Sequence, residues 1–396
     1  MLTRRSFLEI GFKSAIVADS PLLFSKEPSA TQPSGADGFF NVGKRRGRWF
    51  FTTPDRRPFF SCALNHIDSS ILRYPENIGR WESDYQNSQI KWLSKSVGPN
   101  LRDWGFNSVG WVQELSIGQR PHSPSFSLEE YEALGLPYCH LLPFIDTQQW
   151  NPWSRNPDLK SDEFSDWADY VARDACTRFK NQRNLIGYFY SDCPTWAHDR
   201  RGTSWRGPMI AAELFGTPSG RREAFELARH YYRITHDAIR RYDRNHLILG
   251  DRYEANALLP DEIVGAARGF VDVLCFQDFK DPVSTLSKWH AKTGLPVLWA
   301  DGARPIVVAD HSGRYRMGSY KLNDGSWYRD VLRGLRENSG AIGAHLCGAY
   351  IRNRFRARGL LDEQERPDVV NVPLIRDANL EQSYWAAGFS VDGGGG

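Results

Sequence analysis

The stretch that decides the fold is Asn184 to Trp196, NLIGYFYSDCPTW. Its apolar run from Leu185 to Tyr190 has the length and the aromatic content of a buried β-strand. Ser191 and Asp192 follow at the point where the strand gives way to a loop. A strand end held in a sheet gives a polar side chain little freedom, so Asp192 is a candidate functional residue.

Seven further apolar runs of this kind are spaced along the chain, with amphipathic segments between them. The eight predicted strands are Phe59 to Asn65, Phe106 to Val112, Cys139 to Ile145, Leu185 to Ser191, His246 to Asp251, Val271 to Gln277, Pro296 to Asp301 and Ile342 to Cys347. The predicted helices include Asn87 to Trp104, Ser161 to Asn181, Arg222 to Tyr242, Asp281 to Thr293 and Ser326 to Asn338. Apolar strands that alternate with helices indicate a parallel sheet covered on its outside. Eight repeats predict an α/β fold, a single-domain (β/α)8 (TIM) barrel, with a doubly wound open sheet as the alternative.

The residues ahead of the first barrel strand predict two further features. GRWFFTTPDRRPFFSCALN reads as a β-hairpin, with a strand from Trp49 to Thr52 and a turn from Pro54 to Arg57. Residues 1–38 predict a signal and a linker, because TRRSFL at Thr3 to Leu8 resembles a twin-arginine export signal and Ser25 to Gly38 is rich in Ser, Pro and Gly. A disordered basic start is the alternative. We therefore expect a barrel domain over residues 39–396 and a periplasmic or secreted location.

Composition excludes several classes of protein. Fifty Lys and Arg residues nearly balance 47 Asp and Glu residues, so the chain lacks the strongly basic character of a nucleic-acid binder. No run approaches the ~20 apolar residues of a membrane span. Six cysteines are scattered without CxxC or Cys/His spacing, so we expect neither a metal site nor disulfides, and we expect Cys62, Cys139, Cys275 and Cys347 to be buried thiols. No nucleotide-binding glycine motif is present, and no cofactor is predicted.

Polar residues cluster where the predicted strands end, which in a barrel is the face that carries active sites. The candidate substrate-binding residues on this face are Asn65, His66, Trp111, Glu254, Asp278 and His345, joined by Trp150, Trp153 and Trp196 on neighbouring loops. Carboxylates beside aromatic platforms are typical of glycoside chemistry. Long loops at Gly202 to Gly220 and Ala303 to Gly325 are expected to shape one end of the cleft.

Three arginines on or near this face, Arg252, Arg304 and Arg352, have two interpretations. Guanidinium groups suit sulfate and carboxylate oxygens, so these side chains are candidates for binding an anionic glycan. Pairing with nearby aspartates inside the loops is an equally weighted alternative.

Several motifs, in this order along the chain, resemble the retaining glycoside hydrolases of clan A, and their β-agarase-like members most of all. These motifs are TTPDRRPFF, SCALN, LRDWGFNSVG, NLIGYFYSD, HLILGDRY, VDVLCFQDF and LPVLWADGA, and the resemblance spans roughly residues 45 to 355. The resemblance implies a barrel that cuts agar-type galactans, with a polysaccharide or oligosaccharide as its partner. It places Asp192 at the position of the general acid/base glutamate on the fourth strand and Asp301 at the position of the nucleophile on the seventh.

Both catalytic candidates are thus aspartates where that clan has glutamates. Two carboxyl groups, one protonated and one ionised, are what glycoside hydrolysis requires. Shortening both side chains should widen their separation, from about 5 to 5.5 Å in retaining enzymes toward the roughly 6.5 to 9.5 Å of inverting ones. The alternatives are an inactive carbohydrate-binding barrel and, more remotely, a lyase or isomerase on the same scaffold.

Overall fold

The computed structural model describes residues 37–110, 115–117, 120–122, 125–145, 156–197, 208–309, 315–321, 323–353 and 359–389. In chain order the strands are β1 (Asn41–Arg45), β2 (Arg48–Thr52), β3 (Pro58–Phe59), β4 (Ser61–Leu64), β5 (Ser108–Val109), β6 (Leu115–Ile117), β7 (Arg120–His122), β8 (Tyr138–Leu141), β9 (Leu185–Asp192), β10 (Leu247–Glu254), β11 (Leu274–Gln277), β12 (Val297–Asp301), β13 (Arg304–Ala309), β14 (Tyr315–Lys321) and β15 (Ala341–Leu346). The α-helices are α1 (Ile78–Tyr85), α2 (Gln89–Trp92), α3 (Gly98–Asp103), α4 (Leu128–Leu134), α5 (Asp162–Phe179), α6 (Pro218–Tyr242), α7 (Asp261–Ala266), α8 (Pro282–Thr293), α9 (Gly325–Glu337) and α10 (Asn371–Ala387).

Eight of these strands close into one barrel, in the order β4, β5, β8, β9, β10, β11, β12 and β15. Every neighbouring pair is parallel, including β15 with β4, where Gly343 lies opposite Ser61. The strand order follows the chain order, as expected when each strand is joined to the next by a crossover on the outside. The (β/α)8 barrel is therefore confirmed, and each of the eight predicted runs contains or overlaps one barrel strand.

The amino-terminal hairpin forms a three-stranded antiparallel sheet, β1-β2-β3, that extends the predicted two-stranded element by one strand. Phe40, Val42 and Phe51 belong to the same buried cluster as Leu141 and Leu298 from inside the barrel. The small sheet therefore covers one end of the barrel interior with apolar side chains. Its attachment at this end leaves the carboxyl ends of the barrel strands free to carry polar groups.

One predicted loop contains regular structure. The segment from Ala303 to Gly325 was expected to be a long loop, but β13 and β14 pair within it as an antiparallel ribbon. The β-branched run Ile306 to Val308 in RPIVVA and the two tyrosines of YRMGSYK are residue types that favour strands. Among the described helices, none is long and apolar enough to cross a membrane.

Candidate active site

Polar side chains from five barrel strands meet at the carboxyl end of the barrel. They are Asn65 and His66 after β4, Asp192 at the end of β9, Arg252 on β10, Gln277 at the end of β11 and Asp301 at the end of β12. This is the face that the sequence predicted for the site. Because the strands are rigid and buried, these side chains are positioned by the barrel itself.

Asp301 reaches this face through an irregularity in strand pairing. On β11 and β12, Phe276 lies opposite Trp299 whereas Gln277 lies opposite Asp301, so β12 carries one extra residue at this point. Strict alternation would place Asp301 on the same side as Trp299, which belongs to the cluster between strands and helices. The extra residue acts as a β-bulge and turns the Asp301 carboxyl toward the other polar groups.

A second irregularity precedes Asp192. On β10 and β9, Gly250 lies opposite Phe189 and Arg252 lies opposite Asp192, so β9 carries one extra residue between these two pairs. As a result Asp192 and Arg252 lie side by side on neighbouring strands. Both candidate carboxylates are thus aimed by local departures from regular strand geometry.

Arg252 connects the two carboxylates. Its side chain is fully buried, its Nη1 donates to Asp192 Oδ1 at 3.0 Å, and its Nη2 lies 3.5 Å from Asp301 Oδ2. Nη2 also donates to the carbonyl oxygen of Ala300 at 3.0 Å, and the guanidinium lies over the ring of Phe189. One planar cation therefore lies against both carboxylates.

The two aspartates differ in their electrostatic environment. Burial raises the pKa of the Asp192 carboxyl above its ordinary value, and the charge of Arg252 opposes that rise without cancelling it. Burial alone would also raise the pKa of Asp301, but His66, Arg252 and Asn65 together lower it to about 2. Gln277 donates a further hydrogen bond to Asp192 Oδ1. The pair is therefore divided into a carboxyl that holds a proton more readily and a carboxylate that stays ionised.

Asn65 holds Asp301 in place. Its amide nitrogen donates to Asp301 Oδ1 at 2.7 Å and to the carbonyl oxygen of Ala300 at 3.0 Å. Its position depends on Gly110, because a Cβ at that residue would lie 1.6 Å from Asn65 Oδ1. Glycine is therefore required at position 110, beside the amide. The sequence motif LRDWGFNSVG ends with this glycine, but the sequence alone does not explain why glycine stands there.

His66 and Cys347 lie on the other side of Asp301. The Nε2 atom of His66 is 3.3 Å from the sulfur of Cys347 and 3.6 Å from Asp301 Oδ1. All three residues are buried, and one ligand atom from each lies within 4.8 Å of the others. His66 adopts a left-handed backbone conformation with φ of 60°, which is uncommon outside glycine. Spacing in the sequence gave no sign of this cluster, because its members come from three separate strand ends.

Asp251 faces away from this site, although the sequence placed it at the same strand end as Arg252. Its carboxylate accepts hydrogen bonds from Trp196 Nε1 at 3.1 Å, Tyr231 at 3.0 Å and Tyr232 at 2.7 Å. Burial raises the pKa of Asp251 to about 6, against the lowering effect of these donors. Trp196 is only 1% exposed, so the structure places its ring in the core beside α6 instead of on an open cleft.

The remaining described candidates lie at the rim of the face or inside the barrel. Asp278 accepts from the backbone N–H groups of Lys280 and Asp281 at 2.6 and 2.9 Å and so organises the turn into α8. His345 is buried below the site, where its Nε2 lies 2.9 Å from Ser61 Oγ, and burial lowers its pKa to about 3. Glu254 is half-buried at the end of β10.

The two other predicted arginines have carboxylate partners. Arg304 Nη1 lies 2.7 Å from Asp324 Oδ2, and Arg352 pairs with Glu363. With Arg252 held by both aspartates, pairing within the protein accounts for each of the three. Trp111, Trp150 and Trp153, the other predicted aromatic platforms, lie outside the described residues.

Comparison with known proteins identifies the fold. No protein-family model matches the chain, and no match was found among curated protein sequences. The structure of an exo-β-agarase is similar, with a TM-score of 0.66 at 16% identity over 94% of this chain and 68% of that one. The agarase AgWH50C gives a TM-score of 0.63 at 17% identity, over 90% of this chain and 65% of that one. BpGH50 gives 0.63 at 16% identity, over 97% and 91% respectively. At such identities the likeness is one of fold.

Replacing Arg252 with methionine tests the central contact of the site. The Arg252→Met variant leaves two buried carboxylates without their shared cation, so we expect the free energy of unfolding to fall by about 3 to 5 kcal/mol. The matched control is Arg304→Met, which removes a half-exposed partner of Asp324 and should cost at most about 1 kcal/mol. Urea unfolding at neutral pH, followed by circular dichroism, measures both. Equal losses in the two variants would contradict the bridging role of Arg252.

Proposed function

We propose that the protein is a glycoside hydrolase that acts on a galactan-like polysaccharide or oligosaccharide, with Asp192 and Asp301 as its catalytic carboxyls. The observation that carries this proposal is the convergence of these two side chains, from the fourth and seventh barrel strands, on the two terminal nitrogens of Arg252. Two carboxyls on one rigid face match the requirement for cleavage of a glycosidic bond.

Asp192 acts as the general acid in this proposal. Its side chain is the more exposed of the pair, at 13% against 6%, and its pKa is raised by burial. A protonated carboxyl at this position donates to the leaving oxygen as the bond breaks. Asp301, held by Asn65 and Arg252, remains ionised and serves as the base that activates water or as the nucleophile.

The length of the two side chains favours the base role for Asp301. Aspartates are shorter than the glutamates of the resembled clan. The shorter side chains favour the wider spacing, about 6.5 to 9.5 Å, that leaves room for a water molecule and inverts the anomeric centre. We therefore propose an inverting mechanism.

The substrate class follows from the resemblance and from the fold. The motifs resemble β-agarase-like enzymes, and the similar structures include an exo-β-agarase and a further agarase. Arg252, Arg304 and Arg352 support a neutral galactan better than an anionic one, because each has a carboxylate partner within the protein. For Trp111, Trp150 and Trp153, stacking on sugar rings remains part of the proposal, as does export through the Arg4-Arg5 motif.

A second candidate function, a carbohydrate-binding barrel without turnover, is favoured by one observation. Asp301 is only 4% exposed and contacts Asn65, His66 and Arg252, so its lone pairs are largely engaged. A carboxylate so engaged is well placed to stabilise the fold and less free to activate water. The variants below separate this candidate from the hydrolase.

Amide substitutions test the two carboxyls. We expect Asp192→Asn and Asp301→Asn each to lower kcat/KM on agar-type oligosaccharides by a factor of at least about 100, because each removes a group that transfers a proton or activates water. Asp237→Asn, on an exposed part of α6, serves as the control and should retain activity. Reducing-end release from a panel of algal and plant glycans provides the measurement. Glycan binding by wild type with no turnover of any substrate would favour the binding barrel instead.

The pH dependence of kcat/KM tests the role of Asp192. A general acid must be protonated, so activity should decline as the pH rises through the pKa of Asp192, and burial places that pKa above the ordinary value of 3.8. We expect Asp192→Asn to lose this alkaline limb together with most of the activity. A limb that persists unchanged in the residual activity of Asp192→Asn would assign the acid to another residue.

The configuration of the first product tests the inverting mechanism. We expect proton NMR, recorded within the first minutes of hydrolysis, to show the anomer opposite to that of the cleaved linkage. Observation of the same anomer would remove the inverting mechanism and make Asp301 the nucleophile, without changing the assignment of Asp192.

A further inference from the structure

The geometry points to a Zn²⁺ site formed by His66, Asp301 and Cys347, with a fourth coordination position left for water. These residues supply a nitrogen, a carboxylate oxygen and a sulfur, which are the three donor types that zinc accepts in proteins. All three are buried, and their ligand atoms lie within 4.8 Å of one another. Three protein ligands leave the fourth position of a tetrahedral zinc ion for water, in contrast to the closed four-ligand pattern of a structural site.

Two of the three ligand-to-ligand separations fit a tetrahedral centre. Zinc bonds of about 2.0 to 2.1 Å to nitrogen and oxygen and about 2.3 Å to sulfur imply ligand-to-ligand distances of roughly 3.3 to 3.6 Å. His66 Nε2 lies 3.3 Å from Cys347 Sγ and 3.6 Å from Asp301 Oδ1. The third pair, Cys347 Sγ and Asp301 Oδ1, lies within 4.8 Å, so zinc would draw these two ligands toward His66.

The same distances argue against a nucleophilic cysteine. In a Cys-His-Asp catalytic triad the thiol contacts one ring nitrogen and the carboxylate contacts the other. Here both Cys347 and Asp301 lie nearest to the same atom, His66 Nε2. Donors that converge around a single point are the arrangement of a coordination sphere.

Backbone hydrogen bonds hold the three ligands in register. The N–H of Cys347 donates to the carbonyl oxygen of Gly302 at 2.8 Å, and the N–H of Asn65 donates to the carbonyl oxygen of Leu346 at 3.0 Å. Cys347 is thus bonded to the residue that follows Asp301, and the residue that precedes His66 is bonded to the residue that precedes Cys347. The left-handed conformation of His66, with φ of 60°, is a local strain of the type that accumulates at binding sites.

The surrounding groups suit a divalent cation. Asn65 donates to Asp301 Oδ1, the outer hydrogen bond that orients a ligating carboxylate. When zinc binds, the Cys347 thiol gives up its proton, and the thiolate joins Asp301 as a second negative ligand. Two anionic ligands beside the single guanidinium of Arg252 leave the site able to accept a charge of +2.

Zinc at this site is expected to inhibit hydrolysis, a consequence that rests on the proposed function. Coordination engages the Asp301 carboxylate that would otherwise activate water, so this carboxylate serves the metal or the glycan but not both at once. Binding of the metal itself does not depend on any activity, so it is measured separately.

The test uses the full chain, stripped of metal with a chelator and titrated with Zn²⁺ against a chromophoric competitor. We expect one ion per chain for wild type, and for Cys347→Ala an affinity lower by more than the roughly 10- to 100-fold that loss of an outer-shell partner causes. Cys62→Ala removes another fully buried thiol that is not one of the three ligands, and should bind as wild type does. Co²⁺ in place of Zn²⁺ should give a thiolate-to-metal absorption band in wild type and Cys62→Ala that is absent in Cys347→Ala.

Further variants distinguish failure of this site from failure of the proposed function. Asp192→Asn should bind Zn²⁺ as wild type does while lacking turnover, and the hydrolysis that Cys347→Ala retains should resist inhibition by Zn²⁺. Absence of stoichiometric Zn²⁺ binding by wild type, or equal binding by folded Cys347→Ala, would overturn the site whatever the enzymatic activity. Inactivity on every glycan, with zinc binding intact and lost in Cys347→Ala, would overturn only the hydrolase.

Discussion

The contact on which the site depends is the buried guanidinium of Arg252 between Asp192 and Asp301. A single carboxylate buried without a partner would cost several kcal/mol or take up a proton, and two at one barrel end would repel each other as well. Arg252 offsets both penalties, because its planar fork contacts one carboxylate with each terminal nitrogen. The pKa values of the two carboxyls nevertheless shift in opposite directions. His66 and Asn65 join Arg252 in lowering the pKa of Asp301, whereas burial outweighs the effect of Arg252 and raises the pKa of Asp192. One cation therefore yields two carboxyls with different proton affinities.

The barrel supplies the rigidity for this arrangement, and local irregularities supply its direction. A regular strand alternates its side chains, so a polar end in the sequence does not state which way a residue points. One extra residue on β12 and another on β9 turn Asp301 and Asp192 toward Arg252. Gly110 then leaves the space that the Asn65 amide occupies. These local features bring both carboxylates to the same guanidinium.

The sequence predicted the barrel well, because each of the eight strands is a short apolar run between amphipathic segments and this signal is local. It also predicted which residues stand at the strand ends, and thus the polar face. It did not predict the direction in which each side chain points. The sequence places Asp251 beside Arg252, but the alternation of the strand turns Asp251 outward, where Tyr231 and Tyr232 of α6 donate hydrogen bonds to it. Trp196 donates to the same carboxylate from the core. The sequence alone does not distinguish a buried tryptophan of this kind from one that lines a cleft. Contacts between strand ends that are far apart in the sequence depend on closure of the barrel, and local sequence patterns carry no information about that closure.

The cluster at Cys347 illustrates the same limit and bears on how the site works. Metal motifs are recognised by short spacings, whereas His66, Asp301 and Cys347 come from the first, seventh and eighth barrel strands or the residues directly after them. In a closed barrel the first and eighth strands are neighbours, so ligands at opposite ends of the sequence become adjacent in space. Asp301 belongs to both arrangements, since Oδ2 lies nearer Arg252 and Oδ1 lies nearer His66. A carboxylate shared in this way links the charge of the proposed metal directly to the proposed chemistry, and whatever occupies one side of Asp301 sets the basicity that remains on the other.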